Sequence, residues 1–245
     1  LKEKIYKLLL LISKSELFTK GSTALVFKIG GMLSIYFFHF LLAKFAGAEA
    51  NGIFSTFLTL ISIVAVVSIL GLDTFLLKKL ADFNSKQQWG SLKNTYKKAI
   101  SIVLTISILL SLLLYVLFIN GFLDFYKQSD IVYYLIFTII PFSVLHLHAE
   151  AFRAIKNIKL FSFFKNFSVF GLAAIGLFFV NNTDQNIGVF TFTISVIFLS
   201  VLSVFLWLRT TNKLHAPIRE NVPIFSMIKE SFPMFLSGSL FLLLS

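Results

Sequence analysis

The sequence contains no cysteine, only four prolines, and charged residues at just 13% of its 245 positions. The lack of cysteine excludes disulfide bonds, thiolate metal sites and a cysteine nucleophile. A typical soluble domain has about 25% charged residues, so this chain has too few to cover a soluble globule of its size. Hydrophobic residues make up 57% of the chain, phenylalanine alone occurs 31 times, and the mean hydropathy is +0.88. This composition excludes a disordered chain and is typical of a membrane protein.

Long apolar runs account for most of the chain. A bilayer core about 30 Å thick is crossed by about 20 apolar helical residues. Six runs reach that length, at 22–46, 53–77, 99–120, 131–152, 160–181 and 187–208, and a seventh begins near 228. None alternates like a barrel strand, and a helix satisfies its own backbone donors in the bilayer. We therefore predict an all-α, polytopic membrane bundle of six full transmembrane helices and a truncated seventh.

The positive charges predict the orientation. Nineteen lysines and arginines lie before the first run or in and just after the second, fourth and sixth connectors, with Lys165 and Lys229 counted with the connectors that they follow. The opposite connectors (47–52, 121–130 and 182–186) contain only Lys127. Cytoplasmic connectors of membrane proteins carry such an excess of cations. We expect a multi-pass protein of the cytoplasmic (inner) membrane with a cytoplasmic N-terminus. Topology then explains the net charge of +11, so the lipid bilayer is the expected partner and nucleic acid is not.

The pattern divides the chain into four parts. Residues 1–20 alternate lysines with apolar residues at helical spacing, which predicts an interfacial segment, with a frayed tail as the alternative. Residues 21–209 form the six-helix lobe, and residues 210–227, with two prolines, form a cytoplasmic linker. Residues 228–245 begin a second lobe. Because the sequence begins with leucine and ends within an apolar run, we interpret it as part of a longer protein.

Two ionisable side chains lie within the first predicted span. An ionisable group inside the membrane is a functional candidate by default, which applies to Lys28 and His39. The eleven residues between them advance a helix by about three turns, so both lie on one face. The alternative for Lys28 is that its long side chain reaches the cytoplasmic interface without further function.

The fourth span carries a denser cluster. His146, Glu150 and Arg153 are spaced four and three residues apart and share one helical face, where Glu150 and Arg153 can pair. This cluster is either a gating ion pair or a structural one at the cytoplasmic end. His148 points to a different face, which favours a packed or interfacial histidine. The phenylalanine-rich faces of the spans are expected to point outward to lipid.

Enzymatic chemistry has little support in the sequence. There is no glycine-rich phosphate loop, and the H-E-x-x-H zinc pattern is absent. His146 and His148 are two residues apart, so a helix points them in different directions and they cannot share one metal ion. We expect no catalytic residue, no metal and no cofactor, and we expect the protein not to be an enzyme.

Several short motifs resemble those of the polysaccharide (O-antigen or capsule repeat-unit) flippases of the multidrug/oligosaccharidyl-lipid/polysaccharide exporter superfamily. In the first two helices they are Gly30-Gly31, Ala46-Gly47, Asn51-Gly52-Ile53-Phe54 and Ser68-Ile69-Leu70-Gly71-Leu72-Asp73, followed by Lys78-Lys79. Further along they are Glu150-Ala151-Phe152-Arg153-Ala154 and Ser231-Phe232-Pro233. The resemblance extends over residues 20–245.

This resemblance implies a two-lobe transporter, of which residues 21–209 form the N-terminal lobe. It also implies that an undecaprenyl-pyrophosphate-linked oligosaccharide is flipped across the cytoplasmic membrane for surface polysaccharide biosynthesis, by rocking of the lobes around a central cavity. Cationic groups would hold the pyrophosphate, with Lys28 as the first candidate and His39 as the second. The lipid-linked oligosaccharide is then the substrate, and other polysaccharide assembly proteins are further candidate partners.

A cation-coupled multidrug exporter of the same superfamily is the main alternative. Such a transporter typically has a carboxylate buried at mid-bilayer depth, whereas Asp73 and Glu150 both lie near the cytoplasmic ends of their spans. A membrane polysaccharide polymerase is a third class, and it commonly has a long outer loop that this chain lacks. The cationic character of the spans favours an anionic substrate over a cationic drug.

Overall fold

The computed structural model describes residues 16–121, 131–180, 184–212 and 217–244, with side chains described from Gly21 to Leu240 within those ranges. Every regular element in these ranges is helical, which agrees with the predicted all-α class. The elements are α1 (Glu16–Ile69), α2 (Leu72–Ser85), α3 (Trp89–Ile119), α4 (Ile131–Ala154), α5 (Ile158–Ser162), a π-helical turn (Phe163–Phe167), α6 (Ser168–Val180), α7 (Ile187–Thr211) and α8 (Ile224–Leu244). Most of the predicted interfacial segment 1–20 lies outside the described residues.

Five helical segments of the described chain are long and apolar enough to cross a membrane. They are Gly21–Ile69, Trp89–Ile119, Ile131–Ala154, Ile158–Val180 and Ile187–Thr211. Their length and composition support the prediction of a multi-pass membrane helix bundle. The finer count of six spans plus a seventh stays a prediction.

The first of these segments is a helical hairpin. Gly47 interrupts α1 with φ 87° and ψ 179°, a conformation that is essentially restricted to glycine. The rings of Phe38 and Phe54 lie 4.7 Å apart, although sixteen residues of straight helix would separate them by about 24 Å. The first arm (16–46) therefore folds back onto the second arm (48–69). The predicted outer connector 47–52 is reduced to a turn at one glycine, because helix resumes immediately after it.

The predicted second span, 53–77, is divided by a break in the helix. Leu70 and Gly71 have φ values of 49° and 71°, so α1 ends at Ile69 and α2 begins at Leu72. A Cβ atom on Gly71 would lie 2.5 Å from the carbonyl oxygen of Ser231 in α8. Glycine at this position therefore permits both the left-handed conformation and the close approach of α8.

Helix α4 lies at the centre of the bundle and is the most buried of the five membrane-length segments. It packs against α1, α2, α3 and α7. One hydrophobic core surrounds its N-terminal half together with the hairpin, α6 and α7, and the other surrounds its C-terminal half together with α2 and α3. The expectation that phenylalanines face outward is wrong for several large rings in these cores, namely Phe38, Phe54, Phe57, Phe75, Phe83, Phe152 and Phe192. Phenylalanine rings packed between helices therefore form part of both cores.

A buried polar chain connects three helices. His148 is fully buried, as its sequence position suggests, and it stacks on Tyr96 of α3. Its Nε2 atom lies 2.5 Å from the Tyr96 hydroxyl, and its Nδ1 atom lies 2.7 Å from Oγ of Ser203 in α7. Because the Ser203 hydroxyl donates to the carbonyl of Ser200, it must accept from Nδ1–H. The Tyr96 hydroxyl then donates to Nε2, so both nitrogens of the His148 ring have partners.

The connector that precedes α8 is docked on α3. Oγ of Ser91 accepts hydrogen bonds from the backbone N–H groups of Arg219 and Glu220, at 3.1 and 2.8 Å. Nζ of Lys98 donates to the side chain of Asn221 at 2.6 Å and to the carbonyl of Val222 at 2.7 Å. The predicted linker 210–227 thus includes a segment, 217–223, that is held against α3. This attachment fixes where α8 begins.

Candidate functional site: a cationic cleft

A cleft of about 290 Å³ opens between the first arm of α1, α4, the π-helical turn and α7. Its titratable lining residues within the described chain are Lys28, His146 and Lys165, so lysines line it and acidic side chains do not. The remaining lining is mostly apolar, and it consists of Gly31, Met32, Ile35, Leu58, Phe142, Leu145, Phe164, Asn166, Val169, Phe170 and Phe192. We call this feature the cationic cleft. Its chemistry is that of a site for an anionic group attached to an apolar molecule.

Close approach of two backbones forms one wall of the cationic cleft. A Cβ atom on Gly31 would collide with the backbone carbonyl of Asn166 in the π-helical turn. At Gly30, the nearest atoms to such a Cβ belong to the Phe167 ring, at 3.3 Å. The absence of side chains at both positions therefore lets the π-helical turn lie directly on the first arm. This contact places Lys165 on the same cleft as Lys28, which is three residues before Gly31.

Lys165 lies within the π-helical turn. A π-helical turn adds one residue to the helical register, and such turns often occur at functional sites. Here it covers Phe163–Phe167 between two α-helical pieces of one membrane-length segment. The rings of Phe163 and Phe167 contact Phe27 of the first arm at 6.3 and 6.5 Å. These aromatic contacts hold the turn against the arm and leave Lys165 at the cleft.

Lys28 is exposed on the first arm and lines the cleft. It forms no hydrogen bond or ion pair with any other residue whose side chain the structure describes. A lysine that is not engaged by a protein carboxylate is available to an anionic ligand. Lys28, the first candidate from the sequence, thus lies at the cleft. Its role there stays a prediction.

Glu150 lies between two cations. Its Oε2 atom is 3.4 Å from Arg153, the pair that the helical spacing predicts, and its Oε1 atom is 3.4 Å from Lys165. The Glu150 side chain is only 9% exposed, so it needs such partners. The guanidinium of Arg153 also lies 5.1 Å from the ring centroid of Phe161, which fixes its position. Arg153 and Lys165 therefore contact different oxygens of the Glu150 carboxylate.

A tight turn between α4 and α5 brings Glu150 and Lys165 together. Lys156 has a φ of 62°, and the side chain of Asn157 accepts a hydrogen bond from the backbone N–H of Leu160 at 3.3 Å. This capping bond starts α5 immediately after the turn. The chain then returns alongside α4, so that residues fifteen positions apart meet.

His146 separates the cationic cleft from a second one. Its ring packs on Phe142 at 4.6 Å, and both residues also line a cleft of about 320 Å³ between the second arm of α1, α2, α4 and α8. We call this second feature the acidic cleft, because Asp73 lines it and, of the described residues, no lysine or arginine does. One Asp73 oxygen accepts a hydrogen bond from the backbone N–H of Thr74 at 2.8 Å. Two clefts of opposite charge thus share a wall.

His39 lies apart from the cationic cleft. It is near the hairpin turn, where its Nδ1 atom is 2.6 Å from Oδ1 of Asn51 and its ring contacts Phe38 and Phe54. Eleven residues of helix separate it from Lys28 by about 16 Å along the axis. The described residues that line the cleft do not include it. A shared helical face thus does not place both residues at one site, because about three turns of helix separate them.

Sequence reasoning missed Lys165. The residue lies six positions into the predicted span 160–181, yet the cation count assigns it to the preceding connector. The criterion that selects Lys28, an ionisable group within a span, also selects Lys165.

No group of three histidine, cysteine or acidic residues able to hold a metal occurs within the described ranges. Comparison with protein-family models, with curated proteins and with solved structures gives no match for this chain.

Proposed function

We propose that this chain is the N-terminal part of a membrane transporter that flips an undecaprenyl-pyrophosphate-linked oligosaccharide across the cytoplasmic membrane, for surface polysaccharide biosynthesis. The observation that carries this proposal is the cationic cleft within a bundle of apolar helices. An anionic headgroup on a long lipid tail matches a lysine-lined cleft with apolar walls. The resemblance of the sequence to polysaccharide flippases supports the same substrate class.

The proposed topology has six spans, because the hairpin α1 contributes two. In this arrangement the N-terminus is cytoplasmic, and the excess of cations in the connectors favours it. Lys28 and Lys165 both lie near the cation-rich ends of their spans. The cationic cleft then opens toward the cytoplasmic half of the membrane, where it can receive a headgroup before translocation.

Headgroup recognition in this proposal is electrostatic. Lysine binds phosphate as a point charge, and Coulomb attraction is stronger where low-dielectric walls exclude water. The volume of about 290 Å³ is at the lower end of small-molecule sites. The cleft therefore takes the pyrophosphate and adjoining atoms, whereas the glycan occupies the larger cavity between two lobes that the resemblance implies.

Reconstitution tests the proposal directly. The intact protein is placed in liposomes with a lipid-linked oligosaccharide whose exposed sugars are cleaved or labelled only from outside. We expect protein-dependent movement of the pyrophosphate-linked substrate and little movement of a matched lipid with a neutral linkage. Equal movement of both lipids, or none of either, would contradict the proposal.

The acidic cleft supports the alternative of a cation-coupled multidrug exporter. Asp73 lines a cleft without lysine or arginine among its described residues, which is suited to a cation or a cationic drug. The two functions differ in their response to Asp73→Asn, with Asp82→Asn on the same helix as the control. The exporter hypothesis predicts that Asp73→Asn abolishes efflux of cationic drugs. The flippase hypothesis predicts no such efflux from the unmodified protein.

A further inference from the structure

We propose that Lys165 is a second phosphate-binding residue of the cationic cleft, and that Glu150 positions it and competes with the ligand for it. This inference rests on the proposed function and deepens it. Lys28 and Lys165 come from two different helical elements that line one cleft, which brings two cations to the same site. Two cations on separate elements define the position of a phosphate group better than one does.

The ion pair of Lys165 is suited to exchange. Its Nζ atom lies 3.4 Å from Oε1 of Glu150, which is longer than the 2.7–2.9 Å typical of a strong charged hydrogen bond. The Lys165 side chain is also 32% exposed, whereas that of Glu150 is 9% exposed. A phosphate in the cleft can therefore reach Lys165 from the open side while Glu150 stays behind it.

Arg153 makes this exchange feasible for Glu150. A nearly buried carboxylate that loses its only partner is strongly destabilised. Glu150 keeps Arg153 at 3.4 Å on its other oxygen when Lys165 turns to a ligand. Together these three residues and Lys28 carry a net charge of +2, which matches an anionic phosphate group. The carboxylate then recaptures Lys165 when the ligand leaves.

Binding measurements on the intact protein in nanodiscs test the inference. The probe is undecaprenyl pyrophosphate, with undecaprenol as the neutral comparison lipid and Lys159→Ala as the control for loss of one nearby lysine. We expect Lys165→Ala to weaken binding of the pyrophosphate lipid at least tenfold and Lys159→Ala to leave it unchanged. We expect Glu150→Gln to tighten binding several-fold, because it removes the competing carboxylate and keeps the side-chain size.

The double variant separates competition from a structural role. If Glu150 acts through Lys165, Glu150→Gln has no effect on binding in a Lys165→Ala background. A purely structural Glu150 predicts weaker binding in both backgrounds and would overturn its assigned role. Lys165→Gln replaces Lys165→Ala if the alanine variant does not fold, as judged by its thermal transition.

The outcomes also distinguish failure of the Lys165 proposal from failure of the proposed function. Pyrophosphate-selective binding that depends on Lys28 but not on Lys165 would overturn this inference and leave the proposed function intact. Equal binding of undecaprenyl pyrophosphate and undecaprenol by the unmodified protein would overturn both. Soluble inorganic pyrophosphate as a competitor shows whether the headgroup alone is recognised, and we expect competition only at high concentration because the lipid tail is missing.

Discussion

Nδ1 of His39 lies 2.6 Å from Oδ1 of Asn51, twelve residues along the chain. A continuous helix would hold these residues about 18 Å apart. The hydrogen bond therefore forms only because α1 reverses at Gly47 and its two arms lie side by side. It joins two polar side chains near the closed end of the hairpin, where an unpaired imidazole or amide in the membrane would be unfavourable.

The reversal predicts that replacing Gly47 destabilises the protein. Gly47→Ala places a side chain at φ 87°, which costs about 1–3 kcal/mol, although a Cβ there meets no atom within 4 Å. Gly52→Ala is the matched control, since its Cβ also meets nothing within 4 Å and its backbone is helical. Thermal unfolding in detergent should show a lower midpoint for Gly47→Ala and an equal or higher one for Gly52→Ala. Equal midpoints for the two variants would contradict the hairpin.

The proposed topology places the two ends of the bundle on opposite sides of the membrane. The chain has no cysteine, so single-cysteine variants report one site each. In intact cells, an impermeant thiol reagent should label Asp184→Cys and should not label Ser85→Cys until the membrane is permeabilised. Labelling of position 85 alone would show the reverse orientation.

The chain of hydrogen bonds through His148 predicts a specific cost for losing the Tyr96 hydroxyl. Tyr96→Phe leaves Nε2 of a fully buried imidazole without a donor, which costs about 1–3 kcal/mol. Tyr36→Phe is the control, because Tyr36 is 72% exposed on the first arm. Denaturation in detergent should show destabilisation only for Tyr96→Phe. A neutral effect at Tyr96 would mean that the proton assignment along the chain is wrong.

The docked connector predicts slow exchange of two named amides. Ser91→Ala removes the acceptor of the Arg219 and Glu220 N–H groups, and a hydrogen bond of about 0.5–1.5 kcal/mol corresponds to exchange about two- to tenfold faster. Ser101→Ala on the exposed side of α3 should leave these amides unchanged. Hydrogen exchange followed by mass spectrometry of the 217–223 peptide measures both. Fast exchange in the unmodified protein would show that the connector is not docked.

Much of the architecture could be predicted from the sequence, because a membrane requires long apolar helices and these are visible as runs. The pairing of Glu150 with Arg153 follows from helical spacing alone, and the ion pair is present at 3.4 Å. Local periodicity also indicates that His148 faces away from Glu150. These features depend on residues within one or two turns of each other.

The parts that could not be predicted depend on contacts between distant segments. The approach of Asn166 to Gly31 and that of Ser231 to Gly71 each join residues more than a hundred positions apart. Hydrophobicity does not reveal a π-helical turn, because the turn changes the register by one residue and leaves the run apolar. Lys165 reaches the cleft through that turn, whereas His39 is drawn to Asn51 by the hairpin.

In the proposed function a lysine of the cationic cleft binds an anionic lipid headgroup, and Lys28→Ala tests this role most directly. Lys44→Ala is the matched control, because Lys44 is an exposed lysine of the same arm that lies beside Phe45, outside the residues that line the cleft. The measurement is the rate of flipping of the pyrophosphate-linked oligosaccharide by the intact protein at equal membrane abundance. We predict a loss of at least tenfold for Lys28→Ala, partial activity for Lys28→Arg and an unchanged rate for Lys44→Ala. A full rate with Lys28→Ala would contradict the account, since it would show that Lys28 only reaches the membrane interface.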